Sequence, residues 1–411
     1  MRSTNRFLLA SASLLSVLLP ASHGGAQDLS RATPVIGNVD RDYPRTPVVL
    51  GDARIFVYGE AGAEYDSNIY ASDINKVDDL KLVAAPTVFA AIEKDSYRLT
   101  ASTGARFERF LDRTTEDSTA ANAIATAEAD LSGRDSVNAV AGWERIVESR
   151  GDPEARNDPV TGPRLIDVTR GEATYSRIGT RIGARIRGTA ARFNHVSQVD
   201  EERDHDSLSL SARVKYAFSE LSSAFGEIFV NDRNFRLAAD RSGVNRDSST
   251  TGFRAGIDIN PGGVLRGEAG VGLFRFNPED PTLKSRTGVS AQAALIYQPR
   301  PQLAFTLDVF NGDAATVRSG AYAREDTRVR LGYQHEIRRN MRAQIGAVYR
   351  RSAYLGTTTE EETWGGYAEA EYIVNRRFAI AATTRFADRK SSNPAESFER
   401  LRGAVELRFQ F

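Results

Sequence analysis

The last twelve residues of the chain alternate between apolar and polar positions. Leu401, Val405, Leu407, Phe409 and Phe411 fall on every second position, and charged or polar residues stand between most of them. Because successive side chains of a β-strand point to opposite faces, this segment is predicted to be a strand with one apolar and one polar face. A sheet with an apolar outer face and a charged inner face is typical of a barrel in a lipid bilayer.

The same alternation recurs along residues 53–411 and predicts eighteen strands, with sixteen as the alternative count. Their length suits the roughly 9–11 residues of a tilted membrane-spanning strand plus some overhang. The predicted strands lie near 53–65, 80–92, 97–107, 119–131, 137–149, 166–177, 181–194, 206–218, 222–235, 248–260, 264–276, 284–297, 302–311, 325–337, 341–354, 363–374, 378–388 and 399–411.

The connections between these strands alternate between short and long. Eight are short turns and nine are long loops rich in Asp, Asn, Ser, Gly and Pro. Outer-membrane barrels have short periplasmic turns and longer external loops, whereas a soluble sandwich has no reason to sort its loops in this way. We therefore predict an all-β, closed antiparallel up-and-down barrel in the outer membrane of a Gram-negative bacterium. Both termini are expected on the periplasmic side.

The first 52 residues do not follow the alternation. Arg2 and Arg6 precede a short apolar core, and small residues at 24–26 follow it. This arrangement predicts a secretory signal peptide over residues 1–26, because the apolar core is too short for a spanning helix. Residues 27–52 carry prolines without periodicity and are predicted to be a flexible periplasmic lead-in to the barrel at 53–411, with a short plug as the alternative.

Charge and cysteine content exclude several classes of function. The chain has 54 basic and 54 acidic side chains, and loss of Arg2 and Arg6 with the signal peptide leaves it nearly neutral, so nucleic acid is not an expected partner. It contains no Cys, which excludes disulfides and thiolate metal sites, and we expect no cofactor. Only six of the basic residues are Lys, and arginine suits crowded pairing with carboxylates.

The inward face is the one surface whose charges form a pattern. A barrel of sixteen to eighteen strands leaves an aqueous channel, so charges on this face keep their water. Two interpretations stay open: rings that set solute selectivity, and Arg–carboxylate ladders that hold the wall together. The predicted pore-lining residues are Arg98, Arg106, Arg181, Arg185, Arg187, Arg213, Arg254, Arg330, Glu108, Glu128, Glu227 and Glu369.

One predicted strand stands out within this set. Arg181, Arg185 and Arg187 share a face with no acid among them, which predicts a positive stripe. The stripe could attract anionic sugars or phosphates through paired donors, or it could pair with Glu172 on the preceding strand.

The sequence gives little support to catalysis. After the signal peptide there are three histidines, His195, His205 and His335, and no nucleophile motif of the G-x-S-x-G type. The protein is therefore predicted not to be an enzyme. Outer-membrane lipid and lipopolysaccharide are expected partners, as is the barrel-assembly machinery through the carboxy-terminal Phe411.

The opening strand and its loop carry a family resemblance. Residues 65–70 read Tyr-Asp-Ser-Asn-Ile-Tyr, which resembles the first external loop of the β-barrel porin family of the second type. The resemblance covers about residues 50–411. It implies an outer-membrane barrel of the kind encoded in exopolysaccharide or capsule gene clusters, with polysaccharide or export-complex proteins as further partners. The hypotheses are a passive pore or conduit for polysaccharide export and, alternatively, a non-conducting structural or surface-attachment barrel.

Overall fold

The computed structural model describes residues 35–36, 43, 46–74, 76–155, 159–259 and 263–411. The predicted signal peptide and most of the predicted lead-in lie outside these residues. The strands are β1 Val48–Leu50, β2 Ala53–Asp66, β3 Asp79–Glu93, β4 Tyr97–Phe110, β5 Ser118–Asp130, β6 Asp135–Val147, β7 Leu165–Ile178, β8 Ile182–His195, β9 His205–Ala217, β10 Ser222–Phe235, β11 Ser248–Ile259, β12 Leu265–Pro278, β13 Arg286–Arg300, β14 Leu303–Ala314, β15 Ala323–Arg338, β16 Met341–Leu355, β17 Glu360–Ile373, β18 Phe378–Ser391 and β19 Phe398–Gln410.

Strands β2 to β19 form a closed antiparallel barrel. Each strand pairs with the next in sequence, and β19 pairs with β2 to complete the ring, with Gln410 opposite Tyr58 and Arg402 opposite Asp66. Closure leaves no unpaired sheet edge, which a strand structure in lipid requires because no water is there to satisfy the backbone. The predicted fold class and the count of eighteen barrel strands are confirmed.

The two faces of the barrel differ as the alternation predicts. Val214 and Ile228 point outward and are 58% and 66% exposed, whereas their sequence neighbours Arg213 and Glu227 point inward and are 5% and 7% exposed. A charge on the lipid face costs about 2–4 kcal/mol at mid-bilayer, so the pattern fixes which face is the outer one.

Aromatic rings gather toward the two rims on the outer face. Tyr297, Phe305 and Tyr333 form a row across three strands near the short turns, with centroid separations of 6.1 and 5.2 Å. Tyr349 and Trp364 lie 4.6 Å apart on the side of the long loops. Such rings favour the interface between lipid and water. No helix in the described part of the chain is both long enough and apolar enough to cross a membrane.

The segment before the barrel contains a short strand that its lack of periodicity did not predict. Strand β1 pairs with residues 53–55 of β2, and a turn at 51–52 joins the two strands. Further along β2, Val57 and Phe411 exchange backbone hydrogen bonds of 3.0 and 2.7 Å. The hairpin therefore begins near the point where the last strand ends, at the rim of the short turns.

Earlier parts of the same segment contact the inside of the barrel. The N–H of Val35 donates to Gln334 Oε1 at 2.7 Å, and Ile36 is buried. Tyr43 packs against Ile373 and Ala379, which lie at the short-turn ends of β17 and β18. Val35 and Tyr43 therefore both contact the wall of the barrel.

Candidate functional site

The inward face carries networks of ion pairs between neighbouring strands. On β9 to β13, Arg213 contacts Glu227 at 2.7 Å and Glu268 at 2.6 Å, while Arg254 contacts Glu227 at 2.5 Å and Gln292 at 2.9 Å. The register of the sheet places these residues side by side on neighbouring strands. Because their side chains are largely buried, each charge needs a partner of opposite sign. This network connects five strands of the wall.

A second network lies on the other side of the barrel. Arg106 contacts Glu60 and Glu108, each at 2.8 Å, and Lys81 contacts Glu108 at 2.8 Å and Glu64 at 3.2 Å. These residues join β2, β3 and β4. Most of their charge is balanced within the wall, which favours the ladder interpretation here.

A third network surrounds Arg408 on the last strand. This guanidinium contacts Glu369 at 2.7 Å, Glu371 at 3.1 Å and Glu406 at 3.3 Å, and Arg342 also contacts Glu371 at 3.1 Å. Glu60 of β2 lies 3.8 Å from the same guanidinium, so four carboxylates share its five donors. The network joins β16, β17, β19 and β2.

Three further predicted residues lie elsewhere on the inward face. Arg98 lies 3.3 Å from Glu93, and Glu128 accepts a long hydrogen bond of 3.4 Å from Asn138. Arg330 lies on the inward face of β15, directly opposite Asp308 of β14. The structure thus distributes the predicted residues around the whole wall and does not gather them into one site.

The predicted positive stripe is only partly present. Arg181 is exposed in the turn before β8, and Arg187 lies 3.3 Å from Glu172, the partner considered from the sequence. Arg185 stands directly opposite Arg213 and has no carboxylate within ion-pair distance among the described residues. The stripe therefore reduces to a single inward cation at Arg185.

The main feature that the sequence did not predict is a long loop that folds into the barrel. We call residues 148–164, between β6 and β7, the crossing loop; residues 156–158 lie outside the described part. Its first turn is held by Arg150, which contacts Glu116 at 2.5 Å and lies over the ring of Tyr70. At its other end, Arg164 contacts Glu148 at 2.9 Å and Asp200 at 2.8 Å.

The tip of the crossing loop reaches the opposite wall. Asp152 lies 3.8 Å from Arg350 on β16, and the carbonyl of Gly151 accepts a hydrogen bond from Arg389 on β18. Strand β16 lies half-way around the ring from β7, the strand that follows the loop. The loop therefore spans the lumen.

Glu154, next to the tip of the crossing loop, contacts both β15 and the loop that precedes it. Its carboxylate lies 3.2 Å from Arg324 on β15, and it accepts hydrogen bonds from the Thr316 hydroxyl and the Val317 N–H. Thr316 and Val317 belong to the facing loop, residues 315–322 between β14 and β15. Glu154 has a φ of 63°, a left-handed backbone that costs a non-glycine residue about 1–3 kcal/mol. Its contacts hold this strained conformation in place.

Burial and charge act differently on the two carboxylates at the tip. Burial raises the pKa of Asp152, an effect that Arg350 and Arg389 only partly offset. Burial also opposes ionisation of Glu154, but Arg324 and Arg203 outweigh it and hold the pKa of that carboxyl below its usual value. Glu154 is thus the better-matched anion of the two.

An open cavity of about 380 Å³ lies between the crossing loop and the facing loop. Five arginines and five carboxylates line it, together with three apolar residues. The charged lining residues are Arg164, Arg203, Arg241, Arg318, Arg389, Glu154, Asp200, Glu202, Glu361 and Glu396. Equal numbers of each sign suit a polar and roughly neutral passage.

The loop that carries the family resemblance supports this arrangement. Asp66 pairs with Arg400 at 2.5 Å across the seam where the barrel closes, and Asn68 donates to the carbonyls of Ser72 and Glu399. Tyr70, the last residue of the motif, lies beneath Arg150 of the crossing loop. The motif therefore fastens the first loop to β19 and provides a base for the crossing loop.

The two histidines that flank the loop between β8 and β9 take part in ring packing and hydrogen bonds. His205 lies between the rings of Phe193 and Phe235, at centroid distances of 4.6 and 5.0 Å, and its Nδ1 contacts the carbonyl of Arg203. His195 Nδ1 lies 2.9 Å from Asp204. Among the described residues, no group of three or more His, Asp or Glu side chains could hold a metal ion.

Sequence comparison assigns the family. A family model described as "Putative beta-barrel porin 2" matches residues 55–411. The chain belongs to this family. It is accordingly a porin-like β-barrel of the outer membrane. The resemblance carried by residues 65–70 is thereby confirmed. No curated protein sequence matches this chain.

Solved structures resemble this porin-like barrel at low identity. A BenF-like porin from Pseudomonas fluorescens is 10% identical, with 89% of this chain and 100% of that chain covered and a TM-score of 0.47. OccK2 of Pseudomonas aeruginosa is 11% identical, with 88% and 98% covered and a TM-score of 0.47. The siderophore receptor PirA of Pseudomonas aeruginosa is 7% identical, with 89% and 81% covered and a TM-score of 0.45.

Proposed function

We propose that this barrel is a passive pore for small polar solutes, narrowed by the crossing loop. The observation that carries the proposal is the contact of Asp152 and Glu154 with the far wall, because a loop across the lumen sets the narrowest passage. The balanced charges around the cavity favour uncharged or weakly charged solutes. The short-turn rim, where β2 begins and β19 ends, faces the periplasm in this proposal.

Planar-bilayer recordings and liposome swelling test the pore. The wild-type protein is expected to conduct with a small unit conductance and to admit only small sugars. Removal of residues 151–160 deletes the tip that contacts the far wall, so it should raise the unit conductance several-fold and admit larger oligosaccharides. The single substitution Glu360→Gln, in an exposed pair with Arg351 at the long-loop rim, serves as a folded control. A deletion variant with unchanged conductance would contradict the proposal.

Two alternatives are decided by the same recordings. Export of polysaccharide, which the family resemblance implies, requires a passage wide enough for a chain of sugars and therefore predicts uptake of long oligosaccharides by the wild type. A non-conducting barrel is favoured by the contacts of Val35 and Tyr43 inside the short-turn end, which add to the obstruction by the crossing loop. Silent bilayers containing correctly folded wild-type protein would support that alternative.

A further inference from the structure

A cluster of buried arginines lies on the wall under the tip of the crossing loop. We call Arg324, Arg350 and Arg389, on β15, β16 and β18, the arginine cluster. Their side chains are 3%, 9% and 3% exposed. Arginine is the residue that best matches carboxylates and phosphates, because its planar donors can bind two oxygens at once. Together, the three buried guanidinium groups create a positive electrostatic potential that attracts anions.

The wall itself supplies too little negative charge to balance the cluster. Asp326 lies 2.9 Å from Arg350 and 3.1 Å from Arg324, and Glu361 lies 3.8 Å from Arg389. Within the described strands, two wall carboxylates thus face three guanidinium groups. Further partners come from the crossing loop.

The loop does not use all the donors of the cluster. The Nε–H of Arg350 is buried and finds no hydrogen-bond acceptor in the part of the chain that the structure describes. A buried charged donor without a partner is unfavourable, because it has lost its hydration without gaining an acceptor. Asp152 approaches Arg350 only to 3.8 Å, which is an ion pair without a close hydrogen bond. The cluster could therefore bind an anion with more oxygens better than it binds the loop.

The docked loop also stores strain. Glu154 holds a φ of 63° while its carboxylate reaches Arg324, and this conformation can relax when the carboxylate detaches. The contacts of Asp152 and Glu154 on the far wall are polar, so water can replace them once the loop leaves. Docked and released states are then separated by a modest free energy, which a ligand can shift.

We propose that the arginine cluster is a binding site for multivalent oxyanions of the phosphate class. The carboxylates of the crossing loop occupy this site as an internal substitute, so that oxyanion binding releases the loop. A ligand that binds only the released state shifts the equilibrium by its affinity for that state. The consequence for conductance rests on the proposed pore, whereas the consequence for loop position does not.

The position of the loop can be measured with an introduced thiol, since the chain contains no Cys. Ser352 lies on β16 between Arg350 and Tyr354, on the same inward face, and is 1% exposed. In Ser352→Cys, reaction with a membrane-impermeant maleimide should be slow. Inorganic pyrophosphate should accelerate it by roughly tenfold relative to sodium chloride at the same ionic strength, the factor that about 1.4 kcal/mol produces.

Two controls separate release of the loop from other causes. Ser242→Cys, in an exposed turn of the loop 236–247, should react at a rate that pyrophosphate does not change. Asp152→Asn combined with Glu154→Gln in the Ser352→Cys background should react fast without pyrophosphate. Thr363 lies on β17 and contacts Arg389 of β18, so Thr363→Cys provides a second reporter if Ser352→Cys folds poorly.

The outcomes are distinct for the two proposals. A labelling rate of Ser352→Cys or Thr363→Cys that pyrophosphate leaves unchanged would overturn the oxyanion site, whatever the bilayers show. Accelerated labelling together with silent bilayers would support the site and reject the pore. Accelerated labelling together with a higher conductance in pyrophosphate would support both.

Discussion

The ladder around Arg213 and the tip of the crossing loop use the same ion pairs in different settings. Arg213 and Glu227 sit opposite each other on adjacent strands, so the hydrogen-bonded register holds them together. Glu154 and Arg324 meet only because a loop folds across the lumen. The first pair cannot separate without opening the sheet, whereas the second can separate while the barrel stays intact. The comparison indicates that the first pair stabilises the wall, whereas the second holds the crossing loop in place.

The largest effect should come from breaking the ladder. Glu227→Ala leaves Arg213 and Arg254 without their shared carboxylate, and removal of one partner from a buried ion pair costs about 3–5 kcal/mol. Water in the lumen can hydrate the unpaired arginines and so reduces this energetic cost. We therefore expect a loss of about 3 kcal/mol in the free energy of unfolding in urea. The matched loop variant Glu154→Gln should lose less than about 1 kcal/mol, because its arginine can be hydrated after the loop leaves.

These two variants should show the opposite order in conductance. Glu154→Gln should raise it, and Glu227→Ala should change it little as long as the barrel is folded. Equal losses of stability in both variants would remove the distinction between the two regions.

A fall in pH should weaken docking of the crossing loop, and this tests the same comparison. The docked Glu154 has a pKa below its ordinary value of 4.5, so its contribution to docking is complete above that value and is lost as the pH falls through the lower one. Asp152 acts in the opposite direction, because its raised pKa favours the docked state when it takes up a proton. In Asp152→Asn, conductance should therefore rise as the pH falls below about 4.5.

Single-channel recording from about pH 7 to about pH 3 measures this change. Asp152→Asn with Glu154→Gln should show no rise over the same interval, since the titrating group has been removed. A rise that persists in the double variant would have to come from another group.

The smallest effect concerns Arg185, the arginine of β8 for which the described residues provide no ion pair. Arg185 has no carboxylate within ion-pair distance among the described residues, so we expect its charge to act on ions in the proposed pore. Arg185→Glu should shift the reversal potential in a salt gradient toward cation preference. Arg187→Gln, whose native side chain pairs with Glu172, should shift it less. An unchanged reversal potential in Arg185→Glu would show that the wall charge at this position does not influence permeation.

Much of the fold could be predicted because its rule is local. Alternation with a period of two places Val214 outward and Arg213 inward whatever the distant parts of the chain do. The order of short and long connections then leads to an up-and-down ring. The positions of the ladder residues follow from the same parity, although their partners depend on the register between strands.

The candidate site could not be predicted in the same way. The predicted pore-lining set contained neither Arg324, Arg350 and Arg389 nor the loop carboxylates that contact them. The available signal was a pair of acids, Asp152 and Glu154, around Pro153 in a long loop, together with arginines at 324, 328 and 330. Nothing periodic connects residue 154 with residue 324, so their encounter is invisible in a single sequence.

The sequence alone therefore determined the class of fold, the number of barrel strands and the face that each strand turns to water, because side-chain direction in a strand repeats every two residues. Only the tertiary structure decided that the described part of the crossing loop turns inward, that Val35 and Tyr43 contact the wall and that β1 extends the short-turn rim. These features depend on surfaces that meet only once the ring has closed, and the closed ring brings together residues far apart in the chain.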